Sequence, residues 1–269
     1  MSNKQLDNPS SMDVHMSNLF DVSGNIALVT GSGQGIGLTL ARGLAHVGCK
    51  VVINDRIKTR LNHTLGIFRK EGLLAYGSAF DVTNEEEVNE HIKTIEKEVG
   101  PISILVNNAG VQIRSPLEEF KLSDWQKIID VNLTGAFIVS KAVSKYMIER
   151  KGGKIINICS IQSELARPSI APYTASKGGL RNLTRGMATD WGKYNIQVNG
   201  IAPGYFKTEM TKALYEDEKF DTWLRSRTPA NRWGDPGELI GALIFLSSRA
   251  SDYVSGQLVY VDGGMTACV

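Results

Sequence analysis

Apolar residues in this chain fall into short unbroken runs, separated by longer stretches in which they recur every three or four positions. The runs IALVT (26–30), KVVIN (50–54), LLAYGSAF (73–80), ISILVN (102–107), KIINIC (154–159), IQVNGIA (196–202) and QLVYVD (257–262) have strand length. Several are apolar at consecutive positions, which suits strands buried on both faces. Between them the spacing predicts helices over 35–47, 84–99, 124–150, 172–194 and 235–248. Regular alternation of strand and helix implies an α/β class: a single-domain Rossmann fold whose doubly wound, parallel, seven-stranded sheet carries helices on both faces. The segment 205–227, rich in charge and aromatics, interrupts the alternation and reads as a small helical lid. No repeat or Gly/Ser/Pro-rich linker divides 19–269, so one dinucleotide-binding domain is expected there, behind a polar, flexible tail at 1–18.

Composition narrows the classes. With 42% hydrophobic and 22% charged residues and a formal net charge of +2, nothing argues for a nucleic-acid partner. No apolar run approaches the ~20 residues of a membrane span. Cys49, Cys159 and Cys268 lack metal-ligand or redox spacing, so they read as small hydrophobes in a reducing compartment, with no metal site. The first residues have neither the apolar core of a signal peptide nor the arginines of a transit peptide. A cytoplasmic location is the expectation.

Chemistry enters directly after the first strand. Thr30-Gly31-Ser32-Gly33-Gln34-Gly35-Ile36-Gly37 opens into a helix. Glycines let backbone approach a pyrophosphate closely, and a helix start offers it unpaired amides and a favourable dipole. Asp55, ending the second strand, is placed to accept hydrogen bonds from the adenosine ribose and to repel a 2′-phosphate, whereas Arg56 next to it would attract one. The balance tilts to NAD(H), with NADP(H) left open.

A second constellation is Ser160, Tyr173 and Lys177. Eight tyrosines and seventeen lysines in 269 residues make about half a Tyr-x-x-x-Lys pair expected by accident. Tyr215 and Lys219 are indeed another copy. Only Tyr173 has a serine thirteen residues upstream at a strand end; the equivalent position before Tyr215 is Ala202. Residues four apart share a helix face, so Tyr173 and Lys177 should meet Ser160 at the carboxyl edge of the sheet, where open α/β sheets bind ligands. A phenol working as a base near pH 7 needs a shift of about three units, and an ammonium at ~4 Å supplies attraction of that size. Desolvation of the phenolate opposes it, so a cationic oxidised nicotinamide nearby would be a useful second contribution. The set suits hydride transfer, with Tyr173 exchanging a proton with the alcohol or carbonyl oxygen.

With T-G-S-G-Q-G-I-G at Thr30, Asp81 after the third strand, N-N-A-G at Asn107–Gly110, Asn132, Ser160, Y-T-A-S-K at Tyr173, and Pro203-Gly204, the chain resembles the short-chain dehydrogenase/reductase family from Leu19 to its end. The resemblance implies Ser160, Tyr173 and Lys177 as catalytic residues and Asn132 as the holder of a proton-relay water. It assigns Asp81, with Val82, to the adenine, and Asn108, Ala109 and Gly110 to the adjacent ribose. Lys177 is assigned to the nicotinamide ribose, Pro203, Gly204 and Tyr205 to the nicotinamide, and Thr208 to its carboxamide or the phosphates. It also implies a homotetramer with helices 124–150 and 172–194 at one interface.

The segments 157–168, 199–210 and 227–236 resemble more narrowly the gluconate 5-dehydrogenases of that family. This implies a sugar-acid substrate, D-gluconate or 5-keto-D-gluconate. Arg114, Arg167 or Lys207 would receive its carboxylate, and Gln162 or Glu164 its hydroxyls, beside Ser160 and Tyr173. Ile113 stands where relatives often carry a further arginine. Reduction of another ketose, keto acid or 3-oxoacyl thioester is the enzymatic alternative. A redox sensor that binds dinucleotide without turnover is the alternative of another class; such a protein would tolerate loss of the catalytic groups, all of which are present.

Overall fold

The computed structural model describes residues 18–268, so the expected tail falls, up to residue 17, outside the described residues. Seven strands form one parallel sheet: β1 (Ile26–Val29), β2 (Lys50–Asn54), β3 (Ala75–Ser78), β4 (Ile102–Asn107), β5 (Gly153–Ile158), β6 (Ile196–Pro203) and β7 (Leu258–Val261). They lie in the order β3-β2-β1-β4-β5-β6-β7. Strand order reverses direction between β1 and β4, and a crevice opens at such a point.

Side chains along β1 alternate between two cores. Ala27 and Val29 pack with Leu40, Leu44, Leu243 and Leu246 on one face. Ile26 and Leu28 pack with Ile92, Val139, Val143 and Met147 on the other. The first layer is built by α1 (Gly35–His46), α2 (Lys58–Lys70) and a later helix over Ile240–Ser247; the second by α3 (Glu85–Glu98) and the helices between β4 and β6. Burial on both faces explains why strand runs are continuously apolar. Helix α3 shows the complementary logic: Val88, Ile92 and Ile95 face inward, while the Asn84 side chain accepts from the Glu86 and Glu87 amides and three glutamates occupy the first turn. A carbonyl cap and negative charge both favour a helix start.

Three expectations need adjustment. Helix α2 is absent from the predicted set, because its sequence KTRLNHTLGIFRK buries only Leu61, Thr64 and Phe68. The run LLAYGSAF contributes only Ala75–Ser78 to the sheet, since Leu73 turns back to bond the Phe68 carbonyl. The long helix 124–150 is α4 (Leu122–Ile129) and α5 (Gly135–Arg150), joined by a π-helical turn, Asp130–Thr134. After β5, α6 (Ala171–Trp191) begins with a proline in its first turn, where the missing amide costs nothing.

The lid consists of α7 (Lys212–Tyr215) and α8 (Glu218–Arg227), followed by α9 (Ile240–Ser247). Tyr205, Phe220, Trp223 and Trp233 form its aromatic interior, with ring centroids 5.2 to 6.4 Å apart. Among the described residues no helix is long and apolar enough to cross a membrane.

Candidate active site

A cavity of about 880 Å³ runs along the carboxyl edge of the sheet, from the end of β2 to the lid. Its floor is the glycine loop. Gly31 takes φ +61, and a β-carbon there would lie 2.8 Å from Ala109 Cα. At Gly37 a β-carbon would meet the Gly31 carbonyl at 2.6 Å. The loop therefore tolerates only glycine at both points. Asn108 holds it from the other side, donating to the Thr30 and Gly31 carbonyls at 2.9 and 3.1 Å. The Thr30 hydroxyl accepts from the Asn108 and Ala109 amides. Asn54, which the sequence reading passed over, anchors the loop by accepting from the Gly31 amide at 3.1 Å.

Helix α1 starts with no side-chain cap on Gln34 and no acid in its first turn, so its free amides and dipole face the cavity unopposed. That cradle fits a pyrophosphate. Gly31, Gln34, Gly35, Ile36 and Gly37 line it. Ser32 and Gly33 do not: Ser32 is buried with its hydroxyl on the Val29 carbonyl at 2.6 Å, and a β-carbon on Gly33 would collide with the Asp55 carboxylate.

At the β2 end of the cavity, Asp55, Arg56, Asp81 and Val82 line the wall, but Asp55 is not a free acceptor. Arg60, unnoticed in the sequence, donates to both of its oxygens, Nε to Oδ2 at 2.5 Å and Nη2 to Oδ1 at 2.8 Å. The tilt toward NAD(H) requires a free carboxylate at Asp55, and in the structure Arg60 compensates it. Asp81 accepts from the Thr83 amide and hydroxyl and pairs with Arg56 at 3.4 Å.

At the other end, Ser160, Tyr173 and Lys177 converge on the cavity with Pro203, Gly204, Tyr205 and Thr208. Ser160 accepts the Gln162 amide at 3.1 Å and lies close enough to the Tyr173 phenol to lower its pKa. Lys177 donates to the Ile158 carbonyl at 2.6 Å and lies over the Tyr173 ring, 5.7 Å from its centroid. The π-helical turn carries Asn132, whose amide brackets the Val111 backbone at 2.8 and 3.0 Å and donates to Ser176 at 3.1 Å. Ser176 donates in turn to the Tyr173 carbonyl at 2.7 Å. One inserted residue per turn thus links α5, the loop after β4 and the catalytic helix, a use to which π-turns are often put. The second Tyr-x-x-x-Lys dissolves: Tyr215 ends α7, and Lys219 lies beyond the Asp217 cap in α8.

Protonation differs from the expectation. Burial pushes the Tyr173 phenol up to about 12, against the lowering effect of Ser160. Burial also pulls the Lys177 ammonium down to about 8. Desolvation outweighs the lowering influence of Ser160 on the phenol, so Tyr173 holds its proton and is a proton donor. Cys159, with its thiol pushed up to about 11 by burial, is no nucleophile.

Of the expected substrate contacts, Gln162 and Arg167 line the cavity, and Gln112, missed in the sequence, does too. The Gln162 side-chain carbonyl is buried without a partner. Arg114 is exposed at the rim, held below its usual pKa by desolvation and then by the charge of Arg167. Glu164 and Lys207 do not line the cavity: Glu164 turns to Arg181 at 2.7 Å and Tyr260 at 2.9 Å, and Lys207 lies over the Tyr215 ring, 6.0 Å away.

Comparison with known proteins gives the context. Residues 25–219 match the short chain dehydrogenase family. The gluconate 5-dehydrogenase of Gluconobacter oxydans (strain 621H) is 56% identical over 248 residues, 92% of this chain and 97% of that one. The 2-dehydro-3-deoxy-D-gluconate 5-dehydrogenase of Formosa agariphila is 51% identical over 253 residues, 93% of this chain and 96% of that one. Among solved structures, a gluconate 5-dehydrogenase from Burkholderia cenocepacia J2315 in complex with NADP and tartrate superimposes with a TM-score of 0.92 at 55% identity, covering 95% and 100% of the two chains. With the glycine cradle, the Ser160, Tyr173 and Lys177 geometry and these matches together, the chain belongs to the short chain dehydrogenase family and is an oxidoreductase.

Proposed function

We propose that this oxidoreductase interconverts D-gluconate and 5-keto-D-gluconate, using NADP(H) or NAD(H). The observation that carries the substrate class is the pair Arg114 and Arg167. Their charges repel each other, Arg167 lies beside the Tyr205 phenol and over the Phe220 ring, 5.6 Å from its centroid, and among the described residues neither guanidinium has a carboxylate partner. Two adjacent uncompensated cations beside a reaction centre form a receptor for an anion. The unpartnered Gln162 carbonyl nearby asks for a hydroxyl donor. A polyhydroxy carboxylate supplies both groups, whereas a thioester supplies neither. The tartrate held by the Burkholderia relative is a hydroxy acid of the same kind.

In the mechanism, a nicotinamide dinucleotide supplies or takes the hydride, held by the glycine loop, Asp81, Asn108–Gly110 and Lys177. Tyr173 gives its proton to the carbonyl oxygen as it becomes an alcohol, and takes it back in reverse. Ser160, already capped by the Gln162 amide, keeps its own hydroxyl hydrogen for the substrate oxygen. Lys177 holds positive charge beside the phenolate left behind, and Asn132 fixes the backbone from which a relay to solvent departs.

The test is NADPH and NADH absorbance in the presence of 5-keto-D-gluconate, 2-dehydro-3-deoxy-D-gluconate precursors and neutral ketoses. Arg167→Gln is expected to raise KM for the keto acid about tenfold with little change in kcat, as removal of a uniform charged contact does. Neutral ketoses should be indifferent to it. Faster turnover of a neutral ketose than of any keto acid would refute the carboxylate reading.

The assembly we propose is a homotetramer, supported by Leu122, Trp125 and Phe137, which expose apolar surface on α4 and α5 at 78%, 36% and 44%. Such surface favours burial against another copy. Light scattering should give about four times the 29.4 kDa chain mass; a monomer at micromolar concentration would reject it.

A further inference from the structure

The end of β2 holds an arrangement that the reaction itself does not require. Asp55 is 3% exposed, and its oxygens accept three hydrogen bonds: two from Arg60 and one from the Ile57 amide at 2.8 Å. Arg60 stands in the first turn of α2 and reaches back over the strand end. Its third contact, Nη1 to Gln34 Oε1 at 3.2 Å, bridges to the glycine loop. Gln34, Asp55, Arg56 and Arg60 all line the same stretch of cavity wall. Arg56, the residue a sequence reader would choose to meet a phosphate, is instead drawn to Asp81.

A guanidinium carries five N–H donors. Three of them are used here, which leaves two for a ligand without releasing Asp55. The side chain is one-third exposed, so it is also free to turn outward. These two options suit two different ligands. A ribose diol needs Asp55 as an acceptor, and so competes with Arg60 for its oxygens. A ribose 2′-phosphate needs the carboxylate neutralised and a donor in its place, both of which Arg60 supplies where it now stands.

We propose that Arg60 is a movable countercharge that sets the choice between the phosphorylated and unphosphorylated dinucleotide: latched on Asp55 it admits the 2′-phosphate, and released from Asp55 it admits the free diol. The inference rests on reading the cavity as a dinucleotide site, and it is independent of the sugar-acid assignment. It makes opposite demands on the two partners. Arg60→Gln removes a phosphate donor and bares the carboxylate, while Asp55→Asn removes the acceptor that the diol needs and leaves Arg60 with its charge uncompensated.

The test is a titration of the purified, full-length protein with NADPH and separately with NADH, in the absence of any sugar acid, following nicotinamide fluorescence. The ratio of the two Kd values is the readout, so general loosening of the loop, which weakens both, cancels. In Arg60→Gln the ratio should move at least tenfold toward NADH, the size of one lost charge-assisted hydrogen bond. In Asp55→Asn it should move toward NADPH. Equal weakening of both dinucleotides in Arg60→Gln, or an unmoved ratio in Asp55→Asn, would overturn the countercharge role; if Arg60→Gln does not fold, Asp55→Asn decides by itself. Failure of the unmodified protein to bind either dinucleotide would instead overturn the cofactor reading on which the inference stands.

Discussion

Replacing Tyr173 with phenylalanine is expected to lower kcat by about 10³-fold, in the middle of the range for loss of a positioned general acid, while dinucleotide affinity stays within about threefold. The phenol is the proton donor because burial holds it protonated to about pH 12. The ring itself packs at the start of α6 and is not disturbed by losing one oxygen. Ser160 retains the Gln162 amide, so no buried hydroxyl is orphaned and the fold should be unaffected. Stopped-flow reduction of 5-keto-D-gluconate, paired with NADPH fluorescence titration, separates the two quantities. Turnover near that of the unmodified protein would move the proton to another group, and Ser160 would be the first to examine.

What the chain discloses in one dimension follows from which interactions are local. The strands are legible because burial on both faces demands unbroken apolar runs, and α1 because the glycine spacing marks its entrance. Helix α2 is not: only Leu61, Thr64 and Phe68 are buried, too few to impose a visible period on a polar sequence. That omission hid Arg60. The sequence neighbour of Asp55 is Arg56, whereas its partner in the structure is Arg60, five residues on, brought back by the first turn of α2. Ser160, Tyr173 and Lys177 are readable because strand ends and helix faces fix their direction, whereas Asn132, on the π-helical turn, is reached only through the family resemblance. Loop side chains have no such constraint. Glu164 and Lys207 read as equivalent to Arg167, yet Glu164 turns to Arg181 and Tyr260 and Lys207 to the Tyr215 ring, while Arg167, itself over the Phe220 ring, stays on the cavity wall. The net sign of the phenol shift is not legible either, because the attraction of an ammonium and the desolvation of the phenolate oppose each other, and in the structure burial prevails.

Lys177→Met should therefore show its effect in the pH profile as well as in the rate. In the reductive direction two conditions hold: Tyr173 must be protonated, which is satisfied up to about pH 12, and Lys177 must be charged to stabilise the phenolate formed when the proton leaves. The Lys177 pKa of about 8 makes the second condition the one that fails first. Its folded value lies below the ordinary lysine value, so the charge is present at pH 7 and disappears as pH rises through 8. At 5.7 Å from the ring centroid, one charge in an effective dielectric of ~20 is worth about 3 kcal/mol, on the order of 100-fold in rate. Saturated keto-acid reduction by the unmodified protein should be level below pH 7 and fall toward a plateau on the order of 100-fold lower by pH 10. Lys177→Met should lie near that plateau at every pH. The Ile158 carbonyl, left without its donor, adds a stability loss of about 1–3 kcal/mol, which a thermal melt measures independently of turnover. If the variant kept the inflexion at pH 8, the titrating group would be another one, and the charge assigned to Lys177 would have no part in the proton transfer.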